Sequence, residues 1–345
     1  MTRTGRELRP VSYPSGEVRE SDFEVAEVDV RDPGEGEVLV RNTWTSVDPA
    51  LRIRLRERAP EGYFPSFPLG VAMDGILTVG EVEESNADGF EPGDTVWHAS
   101  GWRDYALVEA GREELRGVGT LTRLDTTIAP AQAYLGVLGA NGLTAYAGLF
   151  HIGALREGDV VWVSAAAGAV GGLVAQMAKI RGHRVIGSAG SDEKVAYLLD
   201  ELGLDAAFNY KSGPVKELLR DAAPDGIDLY FDNVGGDHLE AALTHLRRDG
   251  RVAMCGAISE YDASDPKPGP TNLFLCVAKD LTVRGFRGSS HVDLFDEMRR
   301  EVGAWYRDGL IKHQETIVDG LEHAPAALAG VMRGSNVGKT LVRIS

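Results

Sequence analysis

A strand, a glycine-rich turn and a helix follow one another near the middle of the chain, and this order constrains the fold most. The apolar run 159–164 predicts a buried strand, and the stretch from Leu173 to Arg181 predicts a helix. Between them, small residues occupy the glycine positions of a Gly-x-Gly-x-x-Gly pattern, at Ala166, Gly168 and Gly171. Small residues let the backbone approach a pyrophosphate, whose charge then meets the N–H groups of the helix N-terminus. The turn therefore predicts a dinucleotide site, contacted by Gly168, Ala169, Val170, Gly171 and Gly172.

Strands and helices alternate on both sides of this turn. Helices are predicted over 131–150, 192–202 and 293–307, and further short strands over 184–187, 206–210, 227–231, 250–254 and 281–286. Alternation of this kind predicts βαβ units and a parallel sheet that is covered on both faces. This α/β region is expected to form one domain, over residues 131–309.

The first part of the chain has a different pattern. Short strands over 37–42, 75–82, 94–98 and 105–108 are separated by proline and glycine, which is typical of a barrel-like or sandwich domain. Two further strands, 315–319 and 338–344, lie at the C-terminus, and we expect them to return to this first domain. The predicted domain is therefore discontinuous, over 1–130 and 310–345, and two domains suit a chain of 345 residues.

The residues at the end of the second strand of the α/β region distinguish between NADH and NADPH as the cofactor. NAD-binding proteins usually carry an acidic residue there for the ribose 2′-hydroxyl, but residues 187–191 are Gly-Ser-Ala-Gly-Ser. Lys194 follows in the next helix, and Tyr210 ends the third strand. A cation and hydroxyls suit a 2′-phosphate, whereas Asp192 and Glu193 favour the N-terminus of a helix. The sequence therefore predicts NADPH rather than NADH.

Charge and composition exclude several other classes of protein. A net charge of −16 argues against a nucleic-acid surface and favours solubility. The two cysteines, Cys255 and Cys276, exclude a disulfide framework and a cysteine-rich zinc lobe. No uncharged apolar run reaches ~18 residues, and the first ten residues do not form a signal peptide. We expect a cytoplasmic protein that contacts neither a membrane nor a nucleic acid.

Several segments, in the same order along nearly the whole chain, carry a resemblance to a known family. They are 46–49 (Ser-Val-Asp-Pro), 142–146 (Gly-Leu-Thr-Ala-Tyr), 165–171, 191–198, 208–211, 231–236 (Phe-Asp-Asn-Val-Gly-Gly), 255–259 and 336–340. With these segments the chain resembles the zinc-free medium-chain dehydrogenase/reductases, in the group of prostaglandin reductase, leukotriene 12-hydroxydehydrogenase and bacterial curcumin reductase.

This resemblance implies a GroES-like β-barrel domain and a Rossmann domain with a doubly wound parallel sheet, with the active site in the cleft between them. It implies reduction, with NADPH, of a carbon–carbon double bond conjugated to a carbonyl, and a homodimer built by joining sheet edges. It places Lys194 and Tyr210 on the 2′-phosphate. The other residues that it assigns to the cofactor are Asn233, Cys255, Gly256, Ala257, Ile258, Ser259, Tyr261, Phe286, Arg287, Gly288 and Asn336.

Tyr261 is the candidate catalytic residue, because it follows a strand that should end at the carboxyl edge of the sheet. Its hydroxyl would donate to the substrate carbonyl or to the developing enolate. Alternatively, Tyr261 is a wall of the pocket and the ribose 2′-hydroxyl of the cofactor has that role. Cys255 is expected to pack on the nicotinamide as a small apolar group, with a reactive thiol as the alternative. The cysteines lie outside the first domain and the histidines lack ligand spacing, so no catalytic metal is predicted.

Three residues are candidates for the substrate site. Ala50 stands where the family commonly has tyrosine after Asp-Pro, and Asn141 where a Met-Pro pair precedes Gly-Leu-Thr-Ala-Tyr. Tyr63 lies in an aromatic patch with Phe64 and Phe67, which is either a substrate wall or a packed loop. Asn141 either selects a polar substrate or forms a local hydrogen bond in a turn. If Ala50 and Asn141 face the substrate, bulkier or more polar enones are expected.

The first interpretation is an NADPH-dependent enone or enal reductase. An NADPH:quinone reductase of the same superfamily is a second, and an NADPH-binding regulatory or structural protein with little turnover is a third. An alcohol dehydrogenase is a fourth, which the absence of zinc ligands disfavours. Assays of NADPH consumption would separate the first three.

Overall fold

The computed structural model describes residues 3–263 and 268–345, which form two compact units. The first unit comprises the chain up to Ala140 together with Glu315–Ser345, and the second comprises Asn141–Gln314. The two boundaries lie ten and five residues beyond the predicted ones. No described helix is both long enough and apolar enough to cross a membrane.

The strands are numbered in chain order. They are β1 (Arg3–Pro10), β2 (Phe23–Val30), β3 (Glu37–Val47), β4 (Thr78–Ser85), β5 (Thr95–His98), β6 (Tyr105–Glu109), β7 (Thr122–Arg123), β8 (Val160–Val163), β9 (Arg184–Ala189), β10 (Ala206–Asn209), β11 (Ile227–Asp232), β12 (Leu246–Met254), β13 (Thr282–Gly285), β14 (Glu315–Asp319) and β15 (Lys339–Arg343).

The α-helices are numbered in the same way. They are α1 (Ala50–Arg54), α2 (Ala140–Tyr146), α3 (Ala169–Ile180), α4 (Asp192–Ala196), α5 (Val215–Ala222), α6 (Gly236–His245), α7 (Phe274–Ala278), α8 (Phe295–Arg307) and α9 (Ala324–Arg333).

The first unit is rich in β-structure. Its main sheet has the strand order β14-β15-β3-β4-β5-β7, with β6 also paired to β3, and β1 and β2 form a separate antiparallel pair. The C-terminal strand β15 pairs antiparallel with β3, so the end of the chain completes this sheet. Leu51, Met73, Trp102 and Leu328 are fully buried in its core, which holds α1 and α9 against the strands.

The second unit has a six-stranded parallel sheet in the order β10-β9-β8-β11-β12-β13. The strand order reverses between β8 and β11, which are direct neighbours. Trp162 of β8 and Tyr230 of β11 are fully buried and stack at 4.3 Å, as expected for a sheet that is covered on both faces. The predicted combination of a β-rich first domain and a Rossmann-type second domain is confirmed. Ligands of such sheets bind beyond the carboxyl ends of the strands at the reversal point.

The predicted helix over 131–150 is wrong as a single element. The segment forms a 3₁₀ helix over Ala131–Leu135, then α2, and then a π-helical segment over Ala147–Ile152. Gly136 has φ −131° and ψ −100°, which no helix contains. Glycine weakens a helix interior, so the alanines and leucines of this segment do not form one continuous helix.

Candidate functional site

The glycine-rich turn has the predicted strand–turn–helix context. Helix α3 begins at Ala169, four residues before the predicted start, with Gly168 as its N-cap. A Cβ on Gly171 would overlap the carbonyl oxygen of Ala165, so only glycine lets α3 pack this closely on the turn. The Ala166 N–H donates to the carbonyl of Ser188 at 3.0 Å and ties the turn to β9. The predicted contacts 168–172 therefore lie around a helix N-terminus, which suits a pyrophosphate.

Lys194 and Tyr210 follow the carboxyl ends of the neighbouring strands β9 and β10. The Tyr210 N–H donates to the carbonyl of Ala189 at 3.0 Å, and its hydroxyl lies beside Gly190, 3.0 Å from where a Cβ would stand. Lys194 lies in α4, whose N-cap Ser191 accepts a hydrogen bond from the Lys194 N–H at 3.3 Å. The structure thus brings both residues to one edge of the sheet.

A second lysine contributes charge to this region. Burial lowers the pKa of Lys194, and repulsion by Lys211 lowers it further. The Lys211 ammonium lies 5.9 Å from the Tyr210 ring centre. A phosphate would relieve the repulsion between two lysines, so these residues fit the 2′-phosphate of NADPH. Lys211 was not among the predicted cofactor residues, although its position next to Tyr210 at a strand end was a usable signal.

Two acidic residues lie in the first turn of α4: Glu193, which favours the charged form of Lys194, and Asp192, which has another contact. Asp192 accepts a hydrogen bond from the Asn209 side chain at 2.8 Å in the first turn of α4. Its carboxylate there favours the helix N-terminus, as the sequence suggested.

A buried hydrogen-bond network lies where the strand order reverses. Asn233 donates from Nδ2 to the Ser164 carbonyl at 2.7 Å and from its backbone N–H to the Ser164 Oγ at 3.0 Å. Asp232 Oδ1 accepts from the Tyr230 hydroxyl at 2.8 Å and from the Gly235 N–H at 2.8 Å. Burial raises the pKa of Asp232. The network joins the ends of β8 and β11 and fixes the position of Asn233, which the family resemblance assigns to the cofactor.

Asp232 also holds the segment that follows β12. Its carbonyl accepts hydrogen bonds from the N–H groups of Cys255 at 2.8 Å and Gly256 at 3.0 Å. Burial and the neighbouring Asp232 raise the pKa of the Cys255 thiol to about 12. The thiolate is the reactive form of cysteine, so this environment disfavours the reactive-thiol alternative.

Tyr261 closes the same segment after a 3₁₀ turn over Ile258–Glu260. Its hydroxyl oxygen accepts a hydrogen bond from the Ala257 N–H at 3.1 Å. This bond uses an oxygen lone pair and not the hydroxyl proton, and it orients the phenol. The Ser259 hydroxyl donates to the Val234 carbonyl at 2.6 Å, which links the segment to the turn after β11. The candidate residues 255–259 and Tyr261 are therefore brought beside Asn233.

The loop after β13 packs on α2. The Phe286 N–H donates to the Met254 carbonyl at 3.2 Å, and the Phe286 ring contacts Phe231 edge-on at 6.0 Å. A Cβ on Gly288 would overlap Thr144 of α2, the helix that also carries the buried Asn141. Arg287 is the N-cap of the short 3₁₀ turn Gly288–Ser290. The loop 286–288 directly follows β13 and therefore lies at the same carboxyl edge of the sheet.

The remaining candidates belong to the first unit. Ala50 is the half-buried first residue of α1, and the Tyr63 ring contacts Phe64 edge-on at 5.3 Å. Asn336 donates from its side chain to the Gly338 carbonyl at 2.9 Å, within the turn that precedes β15. In residues 3–263 and 268–345 no group of three or more His, Cys, Asp or Glu is placed to hold a metal ion.

Two family models match the chain. The one described as "N-terminal domain of oxidoreductase" covers residues 6–115, and the one described as "Zinc-binding dehydrogenase" covers residues 169–304.

Individual relatives match over almost the full length. A 2-alkenal reductase (NADP(+)-dependent) of Nicotiana tabacum is 38% identical, covering 97% of this chain and 96% of the relative. An NADPH-dependent curcumin reductase of Escherichia coli is 38% identical, covering 97% and 95%. The crystal structure of CurA in complex with NADPH from Vibrio vulnificus has a TM-score of 0.90 at 34% identity and covers 99% of both chains. The chain therefore belongs to the medium-chain dehydrogenase/reductase family, in the group that contains the alkenal and curcumin reductases.

Proposed function

We propose that the protein is an NADPH-dependent reductase of α,β-unsaturated aldehydes and ketones that acts without a metal. The observation that carries this proposal is the pair of lysines, Lys194 and Lys211, beside Tyr210 at the ends of β9 and β10, with no acidic residue in 187–191. This arrangement suits a 2′-phosphate. The relatives named as alkenal and curcumin reductases support the double bond of an enal or enone as the group that is reduced.

The cofactor would be held by one edge of the parallel sheet. Residues 168–172 would bind the pyrophosphate, Lys194 and Tyr210 the 2′-phosphate, and Asn233 with the segments 255–259 and 286–288 the remainder. We also assign Asn336 of the first unit to the cofactor. When bound, NADPH supplies the hydride that adds to the β-carbon of the conjugated double bond.

Tyr261 is the proposed catalytic residue. Its phenol is oriented by the bond from Ala257 and would donate to the carbonyl oxygen, on which negative charge develops during reduction. Ala50, Tyr63 and Asn141 are proposed to line the substrate site, with Ala50 providing room that a tyrosine would fill.

A substrate panel tests this proposal. NADPH oxidation is measured with a small enal, an enone and a quinone, and NADP⁺ reduction is measured with a primary alcohol. We expect turnover with the enal and the enone, and saturated carbonyl products. Turnover of the quinone alone would instead identify a quinone reductase, and binding of NADPH without turnover of any compound would identify a binding protein.

We propose that the protein is a homodimer joined through the edge strand β13. Val283 of β13 is 41% exposed, and Phe274 in the adjoining helix α7 is 76% exposed. Exposed strand edges with apolar side chains tend to pair, and two-fold pairing is the commonest form. Light scattering should give the mass of a dimer, and Phe274→Glu should shift it toward a monomer. A monomeric wild type at micromolar concentration would contradict the proposal.

A cytoplasmic location is also proposed. Cys255 and Cys276 are both free thiols, which suits a reducing compartment. Cell fractionation tests the location, and recovery of the protein outside the cytoplasm would contradict it.

A further inference from the structure

A buried arginine ends helix α1 in the first unit. Arg54 is only 6% exposed, and its guanidinium carbon lies 3.8 Å from the centre of the Phe67 ring. Its Nε donates to the Pro65 carbonyl at 2.9 Å. Its Nη1 is buried and has no hydrogen-bond partner in the part of the chain that the structure describes. A buried charged donor without a partner is costly, so this nitrogen requires an explanation.

The neighbouring carboxylates do not supply the missing partner. Asp74 is paired with Arg103 at 2.9 Å, and Glu114 is paired with Arg112 at 3.6 Å. Both carboxylates attract Arg54 only over a longer distance, and burial lowers the pKa of its guanidinium. Burial also raises the pKa of Asp74 and of Glu114, which makes their charged forms less favourable. Of the three arginines Arg54, Arg103 and Arg112, Arg54 is therefore the one that has no paired carboxylate among the described residues.

Arg52 shows that burial of an arginine on α1 does not by itself leave a donor unused. Arg52 is 2% exposed, two residues before Arg54. Its guanidinium donates to the carbonyls of Leu55 at 3.3 Å, Pro14 at 3.2 Å and Gly16 at 2.8 Å. Arg52 thus holds the loop around α1 in place, whereas Arg54 has a donor that the loop does not use.

The position of Arg54 relates it to the proposed substrate residues. Ala50 lies four residues before it, so the two side chains share one face of α1. Tyr63 is close enough to Arg54 to act on the charge of its guanidinium. The ring of Phe67 holds the guanidinium plane, which reduces the entropy that a ligand must overcome.

We propose that Arg54 binds a carboxylate of the substrate, so that the preferred substrates are enals or enones that carry a carboxylate away from the reacting double bond. This inference rests on the proposed function. A carboxylate matches a planar guanidinium, and pairing in a buried site is stronger than at the surface. Arg54 would therefore set specificity without taking part in the reduction.

The experiment compares an enone that ends in a carboxylate with its methyl ester. Values of kcat/KM are measured for the wild type, for Arg54→Met and for Arg58→Met, which removes the same charge from an exposed position four residues further on. We expect the wild type to prefer the acid by roughly tenfold or more, the effect of one charge-assisted hydrogen bond. Arg54→Met should abolish this preference through a higher KM for the acid. The ester should change by less than about threefold, and Arg58→Met should retain the preference.

Two results would overturn the inference: equal values for acid and ester in the wild type, or an equal loss for both in Arg54→Met. If Arg54→Met does not fold, Arg54→Gln takes its place, and equal wild-type values for acid and ester still overturn the inference. If neither compound is reduced, the proposed function fails instead. Calorimetric binding of the saturated acid and of its ester to the protein with NADPH then tests Arg54 separately, and equal affinities would contradict its role.

Discussion

Lys194 contributes a charge that only one of the two nicotinamide cofactors can use. Loss of this side chain removes a charge-assisted contact to the 2′-phosphate, so Lys194→Ala should weaken NADPH binding roughly tenfold or more. NADH, which has a hydroxyl there, should bind almost as before. Fluorescence titration measures both affinities, and Lys216→Ala, an exposed lysine of α5, is the matched control. Equal losses for NADPH and NADH in Lys194→Ala would refute the assignment.

Tyr261 tests the proposed stabilisation of the carbonyl oxygen. Loss of one essential oxyanion donor costs about 10²–10³ in turnover. For Tyr261→Phe we expect a smaller decrease in kcat, about tenfold, because we do not expect Tyr261 to be the sole donor. The KM for a small enone should change little, since the ring remains. Steady-state kinetics decide the outcome, and an unchanged kcat would leave Tyr261 as a wall of the pocket.

At the residue scale, the sequence predicts those roles that depend on residues close together along the chain. The absence of an acid in 187–191, followed by Lys194, pointed to a 2′-phosphate once the second strand of the α/β region had been located. The Ser164–Tyr230–Asp232 network could not be predicted, because Ser164 and Tyr230 are 66 residues apart and meet only through strand pairing. The unused donor of Arg54 was also unpredictable, since it depends on the partners that Asp74 and Glu114 find elsewhere.

At the element scale, the connection from β8 to α3 depends on the absence of a side chain at Gly171. A Cβ there would overlap the Ala165 carbonyl. Gly171→Ala should therefore displace the start of α3, lower the free energy of unfolding by about 1–3 kcal/mol and weaken NADPH binding. Gly172→Ala is the matched comparison, because its Cβ would stand at a milder 3.3 Å from the Ala166 carbonyl. Urea unfolding compares the two variants, and cofactor titration follows Gly171→Ala; equal losses of unfolding free energy in the two variants would contradict this view of the turn.

Several short strands were predicted closely, whereas the glycine-bounded stretch 75–82 is observed three residues later, as β4. The strand expected over 159–164 is observed as β8, and 315–319 agrees with β14. Helix starts were less predictable: α3 begins at Ala169 because the turn is tightened by its glycines, whereas apolar periodicity marks only the part from Leu173. The predicted helix over 131–150 failed because alanine and leucine content says nothing about the backbone at Gly136.

At the scale of the whole molecule, each unit buries a neutral histidine. Burial lowers the pKa of His98 in the first unit to about 3 and that of His238 in the second to about 4. The unfolded chain takes up these protons below about pH 6.5, whereas the folded chain resists them down to about pH 4. The contribution of these two histidines to the free energy of unfolding is therefore fully present above pH 6.5 and decreases as the pH falls toward 4. Each histidine should lower the free energy of unfolding by about 2 kcal/mol at pH 5 relative to pH 7.

Urea unfolding of the wild type and two variants at pH 7 and pH 5 measures this loss. His238→Phe keeps an aromatic ring against Trp162 but cannot take up a proton. Its loss of stability on acidification should be smaller by about 2 kcal/mol. His323→Gln, at an exposed position, should behave like the wild type. The same loss in all three proteins would show that His238 does not contribute to acid sensitivity.

The central claim is that the enzyme reduces the carbon–carbon double bond of an enone with NADPH, and product analysis with NADPH deuterated at C4 of the nicotinamide tests it most directly. The account predicts a saturated ketone that carries the deuterium on its β-carbon, as determined by mass spectrometry and NMR. An allylic alcohol with deuterium on the former carbonyl carbon would contradict it, because that product comes from reduction of the carbonyl group.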